Sequence, residues 1–402
     1  MPNNKTTANY LQGISRLLTK AVLETTDIVE AMHRRVVHPP FLPSTPIQHL
    51  ITEIAGFTYN NIRRGTQLVS GGMDKLLGQC ANQLGEIKST EKRETMRSVL
   101  NGVIGDYLAE QDNPLRISME FRAQGKSIRL NSSGIQNAYP NLTNKVLLLI
   151  HGSSMSDLQW TQQEHNHGTL LAEEFGFTPV YLHYNSGQHV STNGQKLADQ
   201  LEQFINAYPI PLEEITILAH SMGGLVTRSA VHYAQQQQRS WTQRLKKMIF
   251  LGTPHHGAPL EQMGNYLDVI LNNIPYVKPF ARLAKIRSAG VTDLRYGNLL
   301  DEDWTGRDVF KLTGDQRQSV PLPATVDCYS VAAIVGESAN STATQLRGDN
   351  LVGLKSALGQ HKDQAKDLGF KEEHQFIVYG HNHLDLLSSQ AVYSKLRTWM
   401  ED

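Results

Sequence analysis

Cysteine is scarce in this sequence, and neither sign of charge is in excess. Two cysteines in 402 residues, Cys80 and Cys328, cannot form a disulfide framework, and no Cys/His cluster has the spacing of a zinc site. The 38 Lys and Arg residues balance the 38 Asp and Glu residues, so no global positive field is available to hold nucleic acid. We therefore expect neither a zinc site nor a nucleic-acid partner.

Long apolar runs are also missing. No stretch approaches the roughly 18 uninterrupted apolar residues of a membrane span. The N-terminal Leu and Ile residues are interrupted by polar ones, unlike the apolar core of a secretory signal. A hydrophobic content of 40% still suffices for more than one buried core, and no repeat period is found. These features predict a folded, cytoplasmic protein.

Residues 1–112 have the pattern of a helical module. Apolar side chains recur at spacings of three and four, which places them on one helix face; the first such stripe is Leu11, Ile14, Leu18, Ala21, Thr25, Ile28 and Met32. The pattern predicts three to five helices, the first ending at Pro39-Pro40 and the second broken at Gly71-Gly72. We expect this module to dock on the rest of the chain, with contact to a partner or a membrane surface as the alternatives. The oligomeric state is left open.

The pattern changes at Asn113-Pro114, and residues 113–402 alternate strands with helices. Ile117–Phe121 is predicted to pair with Ser127–Leu130 as a half-exposed strand. Short apolar runs then predict six buried strands: Val146–Ile150, Pro179–Leu182, Ile215–Ala219, Met248–Leu251, Tyr329–Val335 and Phe376–Tyr379. Helical stretches between most of them predict a mostly parallel sheet covered on both faces, with reactive residues just after the carboxyl ends of its strands.

A buried strand runs directly into a serine-containing turn at Ala219-His-Ser-Met-Gly-Gly224. A strand, a tight turn flanked by small residues and a helix form the setting of a nucleophilic serine. Ser221 is therefore the predicted nucleophile, and the backbone N–H of Met222 is the predicted oxyanion donor. The loop His151-Gly-Ser-Ser154 follows another buried strand, and Ser153 is the expected second donor. His151 is expected to be structural.

Three motifs together resemble the α/β-hydrolase fold: the Ala219–Gly224 turn, the strand followed by His151-Gly152, and Phe250-Leu-Gly-Thr-Pro-His-His-Gly257. They look most like the branch that holds the bacterial true lipases and the GPI inositol-deacylase-like esterases. The resemblance covers about residues 115–402 and does not extend to the N-terminal module. It implies a Ser-His-Asp triad in which the acid follows the nucleophile and the histidine comes last.

That order leaves four late histidines as candidates for the base: His361, His374, His381 and His383. The segment Asn382-His-Leu-Asp385 looks like the catalytic-histidine motif of the bacterial lipases. His383 is therefore the expected base, and His381 is the alternative.

The acid is expected in the loop that contains Gly348-Asp-Asn-Leu-Val-Gly353. This segment is similar to the family's Asp-Gly-Leu-Val-Gly motif, with Asn350 where glycine is usual. Asparagine also tolerates the left-handed backbone that glycine would supply. Asp349 is the expected acid, and Glu337 is the alternative carboxylate.

No cofactor is expected. Asp385 matches a residue that helps to bind structural calcium in the resembling lipases, and calcium is left open on this single matched ligand. Four further histidines lack the spacing of a metal motif and are expected near the mouth of the site: His165, His167, His183 and His189.

Residues 258–323 form an insertion rich in apolar side chains, which predicts a helical lid or cap suited to an acyl chain. Ordinary core packing is the alternative for this segment. The sequence thus predicts a serine esterase or lipase that cleaves carboxylic esters of small-molecule or lipid-like substrates through an acyl-enzyme. An amidase or acyltransferase with the same triad and a catalytically idle hydrolase-fold scaffold are the rival hypotheses.

Overall fold

The computed structural model describes residues 7–37, 46–80, 91–259, 288–307, 315–337 and 347–401. They divide into two compact units. The first holds the described residues up to 80 together with 110–116, and the second holds 91–109 and the described residues from 117 onwards. Residues 91–109, which the sequence pattern assigned to the N-terminal module, therefore belong with the sheet.

The first unit is built on two long helices, α1 (Thr7–Val37) and α2 (Pro46–Cys80). Two ion pairs show that the helices run antiparallel, because the later residue of α1 pairs with the earlier residue of α2: Arg16–Asp74 at 2.7 Å and Asp27–Arg63 at 2.6 Å. In the part of the chain that the structure describes, no helix combines the length and apolar character that crossing a membrane requires.

The break predicted at Gly71-Gly72 is wrong, because α2 continues through both glycines. A glycine costs a helix interior about 1 kcal/mol relative to alanine. Packing of α2 against α1 offsets that cost, and this tertiary contribution is absent from the local sequence.

The second unit alternates helices with strands. Its helices are α3 (Glu91–Glu110, of which all but the last residue lies in this unit), α4 (Ser132–Ala138), α5 (His167–Phe175), α6 (Val190–Ala207), α7 (Met222–Gln236), α8 (Ala289–Tyr296), α9 (Leu354–Ala357) and α10 (Gln390–Glu401). Its strands are β1 (Glu120–Ala123), β2 (Lys126–Ser127), β3 (Lys145–Ile150), β4 (Thr178–His183), β5 (Glu214–His220), β6 (Leu245–Leu251), β7 (Asp327–Ile334) and β8 (Gln375–Tyr379).

The strands form one eight-stranded sheet in the order β2-β1-β4-β3-β5-β6-β7-β8. Strand β1 is antiparallel to both neighbours, and all pairs from β4 to β8 are parallel. The strand order reverses between β3 and β5, because the chain continues from β3 to β4 on one side and from β5 to β6 on the other. In such sheets the crevice outside the strand ends at this point favours a ligand site. Five of the six predicted apolar runs lie within strands β3, β4, β5, β6 and β8, and the remaining run, Tyr329–Val335, passes the end of β7 by one residue. The predicted parallel sheet is therefore confirmed.

The predicted first pair of strands is displaced along the chain. Strand β1 begins at Glu120 rather than at Ile117, because the Ile117 N–H donates to the side chain of Asn101 at 2.9 Å instead of to a neighbouring strand. Of the predicted lid, residues 260–287 and 308–314 lie outside the described residues, and α8 belongs to the remainder.

Apolar side chains cover both faces of the sheet, as a parallel sheet requires. On β3, Val146, Leu148 and Ile150 belong to the cluster that includes residues of α6 and α7. The alternate residues Leu147 and Leu149 belong to the cluster that includes residues of α5 and α10. Two cores of this kind hold the strand ends in fixed positions.

A charged cluster is buried where α3 meets the edge of the sheet. The Arg122 guanidinium is 2% exposed and donates to Glu120 at 2.7 Å, to Asp157 at 2.9 Å and to Glu94 of α3 at 3.2 Å. Burial raises the pKa of Asp157, and the charge of Arg122 opposes that shift. One cation thus offsets three carboxyl groups and connects α3 to β1.

Replacing Arg122 with alanine is expected to destabilise the fold by about 3–5 kcal/mol, because the buried Asp157 carboxylate loses the guanidinium that it is paired with. Urea unfolding measures the difference. The matched control is Arg239→Ala. The Arg239 side chain pairs with Asp199 at the surface, and loss of this pair is expected to lower the free energy of unfolding by less than about 1 kcal/mol. Equal losses of unfolding free energy in the two variants contradict a stabilising role for the buried Arg122 cluster.

Candidate active site

Ser221 occupies a one-residue turn between β5 and α7. Its backbone has φ 53° and ψ −125°, a region in which side chains other than glycine are strained. The following glycines permit the turn, since a Cβ at Gly223 would lie 2.4 Å from the Ile150 carbonyl oxygen and one at Gly224 would lie 2.0 Å from Thr253 Oγ1. The serine therefore projects beyond the strand ends, and the Met222 N–H begins the first turn of α7.

The loop after β3 lies directly against this turn. A Cβ at Gly152 would come within 3.0 Å of the Ser221 Cβ, so glycine allows the two backbones to approach. Burial lowers the pKa of His151 to about 4, and its neutral ring donates from Nδ1 to the Gly152 carbonyl at 2.8 Å. Ser153 is buried in this loop, which lies at the same end of the sheet as Ser221.

His383 and Asp349 are joined by a short hydrogen bond. The His383 Nδ1 lies 2.6 Å from Asp349 Oδ2, and both side chains are at most 5% exposed. The other carboxylate oxygen of Asp349 accepts from the N–H groups of Leu351 and Val352 at 2.9 and 2.7 Å. Asn350 has a φ of 74°, the left-handed conformation that its place in the motif requires. The carboxylate is thereby fixed, and it orients the imidazole.

The His383 ring lies beside the serine turn. The Ser221 N–H donates to the Leu251 carbonyl at 2.8 Å, and a Cβ on the next residue, Gly252, would lie 3.1 Å from two atoms of the His383 ring. His220 adds a direct contact, because its Nε2 donates to the His383 carbonyl at 3.2 Å. The structure thus brings Ser221, His383 and Asp349 to one end of the sheet.

The alternative residues are engaged elsewhere. Both ring nitrogens of His381 make hydrogen bonds, one to the Tyr379 carbonyl at 2.6 Å and one with the Ser389 hydroxyl at 3.0 Å. The Glu337 side chain is exposed, whereas Asp349 is the carboxylate beside His383.

The four histidines considered near the site mouth hold structural contacts. His165 and His167 bond to each other at 2.7 Å, and the fully buried His167 also donates to the Leu386 carbonyl at 2.9 Å. His183 lies beside the Arg122 cluster, and His189 bonds to Asp293 at 3.0 Å.

Asp385, the residue considered for calcium, makes a local hydrogen bond. Its carboxylate accepts from the Asn382 N–H at 2.7 Å, which closes a local turn. Within the described ranges, no group of three or more His, Cys, Asp or Glu residues is placed to hold a metal ion. Calcium enters no step of the mechanism proposed below.

Two features of the site had no role in the sequence analysis. His220 was part of the serine motif, but its bond to the His383 carbonyl joins residues 163 positions apart. Helix α3 also contacts the loops after β3 and β4, through Gly102 and Gly105 respectively, which the sequence alone assigns to an ordinary helix. In the sequence, these contacts are signalled only by a histidine next to a strand and by two glycines in a helix. Neither signal identifies the residue that is contacted.

A family model described as a PGAP1-like alpha/beta domain matches residues 141–317. The match contains Ser153, Ser221 and Met222 and ends before Asp349 and His383. Together with the sheet order and the serine turn, it defines the fold as that of the α/β-hydrolases, as the resemblance implied.

Several solved structures are similar to the chain. The mature form of Bacillus licheniformis lipase BlEst2 has 15% identity and a TM-score of 0.41, with 70% of this chain and 98% of that chain covered. Esterase Pf2001 of Pyrococcus furiosus has 13% identity and a TM-score of 0.37, covering 64% and 80%. Phospholipase PlaB of Legionella pneumophila, solved with thio-NAD, has 15% identity and a TM-score of 0.33, covering 53% and 44%. No curated protein matches the sequence.

Strain at Ser221 leads to a stability prediction. Ser221→Gly is expected to be about 1 kcal/mol more stable than the natural protein, because glycine adopts this backbone without strain. Ser221→Ala retains a Cβ and is expected to gain no stability from relief of backbone strain. Urea unfolding of the three proteins measures this, and a glycine variant no more stable than the alanine variant contradicts the prediction.

Proposed function

We propose that this protein is a serine hydrolase that cleaves carboxylic esters through an acyl-enzyme. The observation that carries the proposal is the 2.6 Å hydrogen bond between His383 and Asp349, made beside a serine in a strained strand-to-helix turn. A serine hydroxyl is a weak nucleophile unless a neighbouring base removes its proton. An imidazole with its second nitrogen bonded to a buried carboxylate meets that need.

The reaction that we propose gives a role to each of these groups. His383 takes the Ser221 proton through Nε2 as Oγ attacks the ester carbonyl, and Asp349 stabilises the resulting imidazolium. The Ser153 and Met222 amides donate to the oxyanion of the tetrahedral intermediate. Collapse of the intermediate transfers the proton from His383 to the leaving alcohol. Water, deprotonated by His383, then attacks the acyl-enzyme and releases the acid and Ser221.

Lipid-like acyl esters are the substrate class that we propose. The apolar composition of the 258–323 insertion supports this choice, since an acyl chain needs an apolar lining beside the reactive serine. Peptide or sugar recognition has no comparable support in that segment.

Alanine substitution of the three proposed catalytic residues tests the mechanism. Ser221→Ala and His383→Ala are expected to lower kcat by about 10⁴-fold or more, and Asp349→Ala by about 10⁴-fold. Hydrolysis of p-nitrophenyl esters with short and long acyl chains measures kcat, and a fluorophosphonate probe is expected to label Ser221. Long chains are expected to give the higher kcat/KM.

The controls are Glu337→Ala and His381→Ala, which replace the rival carboxylate and imidazole and are expected to keep kcat within about threefold of the natural value. A Ser221→Ala variant with undiminished esterase activity overturns the proposal. Failure of the probe to label Ser221 supports an idle scaffold, and faster turnover of matched amides or acyl acceptors supports the amidase or acyltransferase alternatives.

A further inference from the structure

Helix α3 lies against the loop that carries Ser153. A Cβ placed on Gly102 would lie 2.0 Å from the Ser154 Oγ and 2.8 Å from the Ser154 Cα. Such distances are below any van der Waals contact, so only glycine at position 102 allows the helix and the loop to come this close. The contact involves backbone as well as side chain, and no change of rotamer at Ser154 would relieve it fully.

A second close approach lies one turn further along α3. A Cβ on Gly105 would lie 1.9 Å from the Asn185 Oδ1, and one on Gly187 would lie 2.1 Å from the Asn101 carbonyl oxygen. The Asn185 amide donates to the Gly105 carbonyl at 2.8 Å. Helix α3 is therefore fixed against the loops that follow both β3 and β4.

The helix is distorted at this contact. Ile104, between the two glycines, has φ −136° and ψ 25°, which is outside the helical region. The Gly102 carbonyl accepts from the Ser288 hydroxyl at 2.7 Å. Backbone groups of α3 thus bind neighbouring segments. A helix that only covers the core would not make such bonds.

The loop itself is held from two other directions. The Gly152 carbonyl faces the His151 ring at 2.8 Å, and the peptide is trans, so the Ser153 N–H points to the opposite side. The Ser154 N–H donates to the Ser186 hydroxyl at 2.9 Å. With α3 packed on Ser154, the peptide that carries the Ser153 N–H is restrained at both ends.

We propose that α3 positions the oxyanion loop, with Gly102 as the positioning residue that sets the place of the Ser153 amide. This inference rests on the proposed function. Helix α3 lies outside residues 141–317, where the family model matches. An amide displaced by a fraction of an ångström donates less well to the transition-state oxyanion and lowers kcat more than it raises KM.

Gly102→Ala tests the proposal in the full-length protein. It is expected to lower kcat per titrated active site by about 10–100-fold, with a smaller change in KM. Hydrogen exchange in peptides that cover residues 150–156 is expected to become faster. Adding Ser154→Gly removes the Oγ and Cβ that the new methyl group meets, and is expected to restore part of kcat. Gly65→Ala, on α2 with open space around its Cβ position, is the matched control.

The outcomes separate the two proposals. If Gly102→Ala leaves both kcat and exchange at 150–156 unchanged while Ser221→Ala is inactive, the role of α3 is overturned and the proposed function stands. If the natural protein hydrolyses no ester, the proposed function fails, and the exchange measurement still decides whether α3 holds the loop. A loss of kcat that Ser154→Gly does not relieve, with exchange unchanged at 150–156, also overturns the positioning role.

Discussion

The chain turns from strand β5 into helix α7 within the single residue Ser221, and most of the site depends on that turn. The positive φ of this residue lets the strand end and the helix begin within one position, which is the geometry of a nucleophile turn. The turn also brings the start of α7 against the ends of neighbouring strands, where Gly152, Gly223 and Gly224 leave no room for a Cβ. Strain at one residue is thus balanced by close packing of the segments around it.

Buried imidazoles surround this turn, and burial keeps them neutral. The pKa of His220 is lowered well below its usual value, first by burial and then by the neighbouring His383, and the pKa of His151 is lowered to about 4. Neutral rings donate one hydrogen bond each and bring no positive charge near His383. The mechanism that we propose places a positive charge on His383, and a cation in their place would oppose that charge.

Features that depend on neighbouring residues in the chain could be predicted from the sequence. The six buried strands, the serine turn and the Asp349 loop are of this kind, because apolar runs, small residues and an Asn350 that adopts φ 74° act within a few positions. The displaced start of β1 could not be predicted, since it depends on the Asn101 side chain, and the continuity of α2 through Gly71-Gly72 depends on contact with α1. The contact of Gly102 with Ser154 likewise joins segments about 50 residues apart.

The site combines features fixed by local sequence with distances fixed by contacts between distant segments. Each reacting group sits on a short segment that fixes its own backbone, as the two amides that bond Asp349 illustrate, and the parallel sheet gathers those segments at one edge. Local motifs therefore specify which chemistry is available. The distances between the groups are set by contacts that arise only on folding, among them Gly252 against the His383 ring and Gly102 against Ser154. Because transition-state stabilisation depends steeply on such distances, the packing of residues with no chemical function determines how well the motif can act.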